Sequence, residues 1–312
     1  MSSVRYSKFQ RHILDWYRKN NRDYLPWRFT KKKPVSPYEI FVSEIMLQQT
    51  QVGRVLEKYP KFLKAFPTIQ HLARAPLPKL LRVWQGMGYN RRARYLKEAA
   101  EIMVKDYKGV VPSDLAILRR LPGVGPYTVG AIACFAYNKP VVFLDTNIRK
   151  VFLHHFLMSL RGSDPATAGE RRGNLTITKD RHASLLFLRD DNKIDDSQIL
   201  AIAEKTLDRK NPRRWHYALM DYGAVMLNNK PELLRQAKIY HKQSRFEGST
   251  RYWRSQIVKY LLRYGQVSGE ELQALVSGDA RYQPGNIQSL LSSLARDGLV
   301  EASSPGLYCI AR

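Results

Sequence analysis

Apolar residues recur every three to four positions over most of the first 240 residues, as in Ile40, Val42, Ile45, Met46 and in Leu80, Leu81, Val83, Trp84. That is the period of helices with a buried face. Prolines at 34 and 37, at Pro60 and Pro67, at 76 and 78 and at Pro112 divide this region into short helices with tight connections. Ser113-Asp114 just before Leu115 predicts a helix N-cap. Residues 161–179 are polar, arginine-rich and aperiodic, and predict a surface insertion. A linker is expected at 244–248, after which helical patterns at 251–263, 270–276 and 286–295 precede two short strand-like runs around a turn. Three helices and a small hairpin describe a winged helix. The expected fold is mainly α, with one large domain over 1–243 and a winged-helix-like domain over 244–312.

Charge changes the picture more than length does. The 312 residues carry 52 Lys+Arg against 27 Asp+Glu, a net charge of +25, and such a chain attracts polyanions. With 44% hydrophobic residues it is no disordered basic tail. The two cysteines, Cys134 and Cys309, have no C-x-x-C spacing, so cysteine provides neither a zinc site nor a cluster site, and a reducing compartment is expected. No signal-peptide core and no run of about 18 apolar residues is present. The expectation is a soluble, cytoplasmic (nucleoid-associated) or nuclear monomer that does not engage a membrane.

Candidate chemistry is concentrated in a few strings. Leu121-Pro122-Gly123-Val124-Gly125 reads as a hairpin between two helices, with Pro126 at a first helical position. Bare amides and the positive end of a helix dipole would then face one anion, for which a DNA phosphate is the natural candidate. Asp145 follows about twenty residues later. It suits a catalytic carboxylate or a plain N-cap for the helix beginning near Asn147. Glu44 lies between Val42 and Ile45, where desolvation would raise its pKa and favour a proton donor, although a solvated helix glutamate fits the same pattern. Lys259, Arg263 and Arg281 are compatible with phosphate contact or with ordinary solvation.

The strings SEIMLQQTQV, WQGMGYNRRARYL, LPGVGPYTVGAIA, LDTNIRKV and ALMDYGAVM, in this order, resemble the helix-hairpin-helix DNA glycosylases of the A/G-mismatch adenine glycosylase type. The resemblance runs from about Leu25 to Lys230 and implies a two-lobed glycosylase fold acting on double-stranded DNA with a mismatch. It implies that Glu44 protonates adenine N7, that Asp145 stays ionised beside the oxocarbenium-like sugar, that Asn147 orients Asp145, and that Tyr127 places a hydroxyl near the sugar and acid. Lyase-active relatives carry lysine at the Tyr127 position, so tyrosine implies a monofunctional enzyme. Gln49 is implied to enter the duplex, with Leu47 and Thr50 beside it and Gln48 supporting the turn. Tyr89 would wedge beside the opposite guanine, Arg91, Arg92 and Arg94 would face phosphates, and Gly123 and Gly125 would hold one strand. Trp27, Arg28 and Asp221 are implied at the extruded adenine, with a structural cap as the alternative for Asp221.

Two departures qualify the resemblance. Most members follow the ALMDYGAVM-like helix with four cysteines for a [4Fe–4S] cluster. The matching stretch from Leu227 has none, so no cluster and no metal are expected. The C-terminal residues suggest a winged helix where many bacterial members carry a Nudix-like domain that recognises 8-oxoguanine. Adenine removal opposite G or 8-oxoguanine is therefore the expected reaction, with the preferred opposite base open. A thymine or uracil mismatch glycosylase on the same fold, and a catalytically silent DNA-binding module, are the alternatives.

Overall fold

The computed structural model describes residues 3–30, 34–160, 193–239, 245–278 and 287–311. The insertion expected at 161–179 and Arg281 lie outside the described residues. In chain order the helices are α1 (Ser3–Asn20), α2 (Pro37–Leu47), α3 (Val52–Ala65), α4 (Ile69–Ala73), α5 (Leu77–Trp84), α6 (Arg91–Asp106), α7 (Leu115–Arg120), α8 (Pro126–Tyr137), α9 (Thr146–Leu160), α10 (Asp196–Lys205) and α11 (Pro212–Val225). A 3₁₀ turn at Pro231–Gln236 follows, then α12 (Thr250–Tyr264), β1 (Val267–Ser268), α13 (Gly269–Ser277), α14 (Ile287–Arg296), β2 (Val300–Ser304) and β3 (Leu307–Ile310). The mainly helical expectation holds, and the caps follow local chemistry. Ser36 closes a capping box with Glu39 at the start of α2, and Asp114 accepts the Ile117 amide at the start of α7.

The chain forms two compact units, Met1–Asp23 with Ala133–Lys242, and Tyr24–Ile132 with Gln243–Arg312. One break falls at 242/243, beside the expected boundary, and each unit is assembled from two separate stretches of chain. The C-terminal helices cluster with the segment that carries α2–α7, because α12 packs on α5, where the Arg82 guanidinium donates to the Leu262 carbonyl.

In the first unit α11 packs on α9 and α1. Phe9 lies edge-on to Phe156 and Trp215 in its core, and Phe135 stacks on Tyr217. Such aromatic pairs add roughly 0.5–1.5 kcal/mol each beyond the area they bury. The approach of α9 to α11 depends on Gly223, since a Cβ there would lie 2.3 Å from the Asn147 carbonyl oxygen. The segment after α11, where the cluster cysteines would stand, is held by backbone. Ile194 forms a parallel bridge with Ala237, its amide donating to the Gln236 carbonyl at 2.7 Å and its carbonyl accepting from Lys238 at 3.0 Å.

In the second unit α2 is apolar nearly all round, with every residue from Tyr38 to Met46 except Glu39 buried, as a helix enclosed on all sides requires. The C-terminal part runs α12-β1-α13-α14-β2-β3 with antiparallel strand order β1-β3-β2. That is the winged-helix arrangement, with one strand more than the hairpin read from the sequence. Two residues are too short for a periodic signal, which hides β1.

Candidate active site

Burial of the whole α2 surface carries Glu44 inside with its apolar neighbours, leaving it only 3% exposed. There the Tyr127 hydroxyl, one residue into α8, donates to Glu44 Oε2 at 3.0 Å. An acid on one helix and a hydroxyl at the start of another thus meet in a site largely withdrawn from water.

The end of α2 turns sharply. Gln48 donates through Nε2 to the Gly123 carbonyl at 3.0 Å and to Thr128 Oγ1 at 3.1 Å, tying this turn to the hairpin. Gln49 is exposed with φ of 52°, a left-handed backbone that costs energy for any residue with a Cβ. Leu47 and Thr50 are half-buried beside it, and the Thr50 hydroxyl donates to the Gln48 carbonyl at 3.2 Å. In the hairpin only Gly123 uses glycine's freedom, with φ of 75° and a would-be Cβ 3.0 Å from Tyr95 Cβ. Gly125 has ordinary backbone angles, and a Cβ there would approach nothing closer than Arg119 at 3.9 Å. The protein itself therefore does not require glycine at 125.

The arginines after the GMGY turn separate by environment. Arg92, expected to face phosphate, is instead buried. Its Nη1 donates to the carbonyls of Ile45 and Met46, both at 3.0 Å, and of Gln48, while Nη2 reaches Thr50 Oγ1 at 2.9 Å, Met87 O at 3.0 Å and Gly88 O at 3.1 Å. A helix leaves its last four carbonyls without partners, and Arg92 supplies them to α2 from α6. Burial lowers the Arg92 pKa to about 10 against the opposing pull of Tyr89, and the group remains charged at neutral pH. Arg94, also expected at phosphate, pairs with Glu98 at 2.7 Å. Arg91 is the exposed member, 3.2 Å from Asp297. Tyr89 has φ of 49° and lies between the guanidinium groups of Arg92 and Arg251, each 5.6 Å from its ring centre.

Trp27 and Arg28, expected at the extruded base, are buried, and Trp27 meets Tyr59 edge-on at 5.6 Å. The indole thus takes part in the core of the second unit.

In the first unit Asp145 caps α9. Its Oδ1 accepts the Ile148 amide at 2.6 Å, and Asn147 Nδ2 donates to Oδ2 at 3.2 Å. Burial pushes the Asp145 carboxyl up. The Ile148 amide, both the backbone and side-chain groups of Asn147, and the Arg149 charge pull it down without overcoming burial. Lys150 is buried one turn on, its ammonium 3.4 Å from the Leu227 carbonyl, and burial lowers its pKa against the pull of Asp145.

Asp221 is fully buried and accepts from the Arg22 amide at 2.9 Å and from its guanidinium Nε at 2.7 Å. Sequence reasoning missed Arg92 as a structural hub and Gly223 as the contact that seats Asn147. The first has no signal in a run of similar arginines, whereas a glycine inside a helical pattern was a visible hint of close packing.

An iron–sulfur cluster needs four thiolate-type ligands. The chain contains two cysteines, one in each unit, which do not fit that group. Among the described residues no group of His, Cys, Asp and Glu is arranged to hold a metal ion, and no helix is long and apolar enough to cross a membrane.

The profile described as "HhH-GPD superfamily base excision DNA repair protein" matches residues 42–172. An adenine DNA glycosylase of Mycolicibacterium smegmatis is 31% identical over 309 residues, covering 96% of this chain and 94% of that protein. One of Mycobacterium tuberculosis is 47% identical over 140 residues, covering 45% of each chain. The match therefore spans less than half the length of that relative. Among solved structures, a thermostable thymine-DNA glycosylase superposes with a TM-score of 0.54 at 24% identity, over 76% of this chain and 97% of that one. At that identity the likeness speaks for the fold alone.

Proposed function

Given that the chain belongs to the adenine DNA glycosylase family of the HhH-GPD base-excision repair superfamily, we propose that it hydrolyses the N-glycosidic bond of adenine mispaired with guanine or 8-oxoguanine. The observation that carries this reading is the buried Glu44 carboxyl with the Tyr127 hydroxyl 3.0 Å away. Proton donation to N7 helps a purine leave, and a carboxyl enclosed by apolar side chains keeps its proton more readily than a solvated one. The C1′–N9 bond breaks with its electron pair going to adenine as Glu44 protonates N7. Water then adds to C1′, and its proton returns to the Glu44 carboxylate.

Asp145 is proposed to stabilise the cationic sugar. The positive charge that develops there faces the Asp145 carboxylate, whose oxygens already accept from N–H groups of Asn147 and Ile148. Tyrosine at 127 offers no amine for a Schiff base at that position, which supports a product left as an abasic site. The hairpin is proposed to bind a DNA phosphate. Gly125 supports this, because its missing side chain serves no packing need of the protein. The same reading includes double-stranded DNA as partner, catalysis without a cluster or metal, a monomer, and a cytoplasmic or nuclear location.

A thymine or uracil glycosylase would gain nothing from an N7 acid, so Glu44 favours adenine. The test incubates the protein with duplexes bearing A opposite 8-oxoguanine, A opposite G, T opposite G and U opposite G, followed by alkaline cleavage of abasic sites. Scission confined to the A-containing strands is expected. Scission only in the T or U strands, or in none, overturns the proposal.

A further inference from the structure

Toward the far end of α9 from Asp145, about 15 Å along the helix, lies a cavity of about 300 Å³ that takes no part in the chemistry above. It belongs wholly to the first unit. Arg5, Lys8, Phe9 and His12 line it from α1, where spacings of three and four residues put them on one face, and His155 and Phe156 line it from α9. Phe9 and Phe156 are buried and meet edge-on at 4.9 Å, so the floor is apolar and fixed. The rim is polar. Arg5 Nη2 donates to the His155 carbonyl at 3.3 Å and its guanidinium lies 5.3 Å from the centre of the Phe156 ring, while His12 Nε2 is 3.1 Å from the Tyr222 hydroxyl.

Two properties indicate a ligand. His154, Tyr222 and Lys230 also act on the imidazoles of this cavity, and among the described residues no carboxylate stands with these groups or in the lining. Burial first, and then the charges of His154, His12 and Lys230, lowers the His155 pKa to about 4. Like-signed groups gathered round a cavity are stabilised by an anion. The second property is size, since about 300 Å³ reaches the range of pockets that enclose small organic molecules and exceeds the needs of an inorganic ion. A guanidinium and an ammonium suit phosphate oxygens, and the aromatic floor suits a flat apolar body.

We propose that this cavity binds a nucleoside monophosphate, its phosphate held by Arg5 and Lys8 and its base over the aromatic floor beside His12 and His155. A DNA strand presents the same oxygens on a diester, but the volume favours a single nucleotide. The site is independent of the glycosylase reading, because its test measures binding alone.

The full chain is titrated by calorimetry, at fixed ionic strength in phosphate-free buffer, with deoxyadenosine monophosphate, deoxyadenosine and inorganic phosphate. Saturable binding of the nucleotide is expected, with deoxyadenosine and inorganic phosphate each weaker by about tenfold or more. Arg5→Gln and Lys8→Gln are each expected to weaken nucleotide binding by about tenfold, and Arg5→Lys by less. Arg11→Gln removes an exposed charge of α1 outside the cavity and serves as the reference. Thermal midpoints without ligand report on the fold of each variant, and the exposed Lys8 decides the matter if loss of the Arg5 contact with His155 unfolds the protein. Absence of saturable nucleotide binding overturns the proposal, as does unchanged affinity in Lys8→Gln. Inorganic phosphate binding as tightly as the nucleotide marks a simple ion site and overturns it. Displacement of the nucleotide by an undamaged duplex marks a contact for strand phosphates and also overturns it.

Discussion

The two units each present one candidate catalytic carboxylate, and they hold it in opposite ways. Glu44 stands in the middle of a buried helix, 3% exposed, and meets a tyrosine hydroxyl. Asp145 stands at the first turn of α9, where backbone and side-chain N–H groups converge on both its oxygens. Mid-helix burial among apolar side chains favours a carboxylic acid, whereas a helix N-terminus supports an anion. The proposed division into acid and electrostatic stabiliser thus follows where along a helix each residue lies.

The largest effects should come from removing these groups. Glu44→Gln is expected to slow single-turnover excision by roughly 10²–10⁴-fold while duplex binding persists, and Asp145→Asn by roughly 10²–10³-fold. Undiminished excision in either variant would erase the comparison.

Next is Arg92→Met in the second unit. The carbonyls at the end of α2 and of residues 87 and 88 lose their shared donor, and urea denaturation should show a loss of about 3 kcal/mol or more. Wild-type stability would mean that water replaces the guanidinium without penalty.

The first unit has a pH signature instead. His216 is buried and its pKa is lowered to about 4 by desolvation, against the hydrogen bond to Pro212. Because the folded state holds the neutral ring, its contribution is complete above the unfolded pKa of about 6.5 and is lost as pH falls toward 4, an effect on the order of 3 kcal/mol. Denaturation midpoints between pH 7 and 4 should fall with a slope that flattens in His216→Gln. An identical slope in that variant would place the titration elsewhere.

The smallest expected effect is that of Gly223→Ala, at about 1–3 kcal/mol from overpacking against Asn147. It sharpens the comparison because the displaced residue orients Asp145, so excision should fall more than duplex affinity. Equal losses in both would show that the contact matters for folding alone.

The helical period announced α2 and α5, the proline after the hairpin marked the start of α8, and the capping residues marked where α7 begins, because these signals depend on neighbours within one or two turns. The glycine hairpin and the motif strings likewise single out Glu44, Tyr127 and Asp145 as candidates, since the chemistry they imply needs those residue types in that order. Other features were illegible. Arg91, Arg92 and Arg94 look alike in sequence, and only the placement of α6 against the end of α2 makes one a buried hub and leaves another exposed beside Asp297. Nor does the sequence show that Trp27 packs edge-on to Tyr59.

What the sequence by itself determined is therefore local and chemical: helix positions, caps, hairpin, net charge, family membership through its motifs, and two candidate carboxylates. What only the tertiary structure decided is which groups desolvate one another. The association of α12 with Tyr89, the clustering of the C-terminal helices with the α2–α7 segment, and the burial of Arg92 against the end of α2 all depend on side chains brought together from different helices. Such contacts depend on packing geometry, which a periodic pattern of apolar residues constrains only as a face to be covered and not as a particular neighbour.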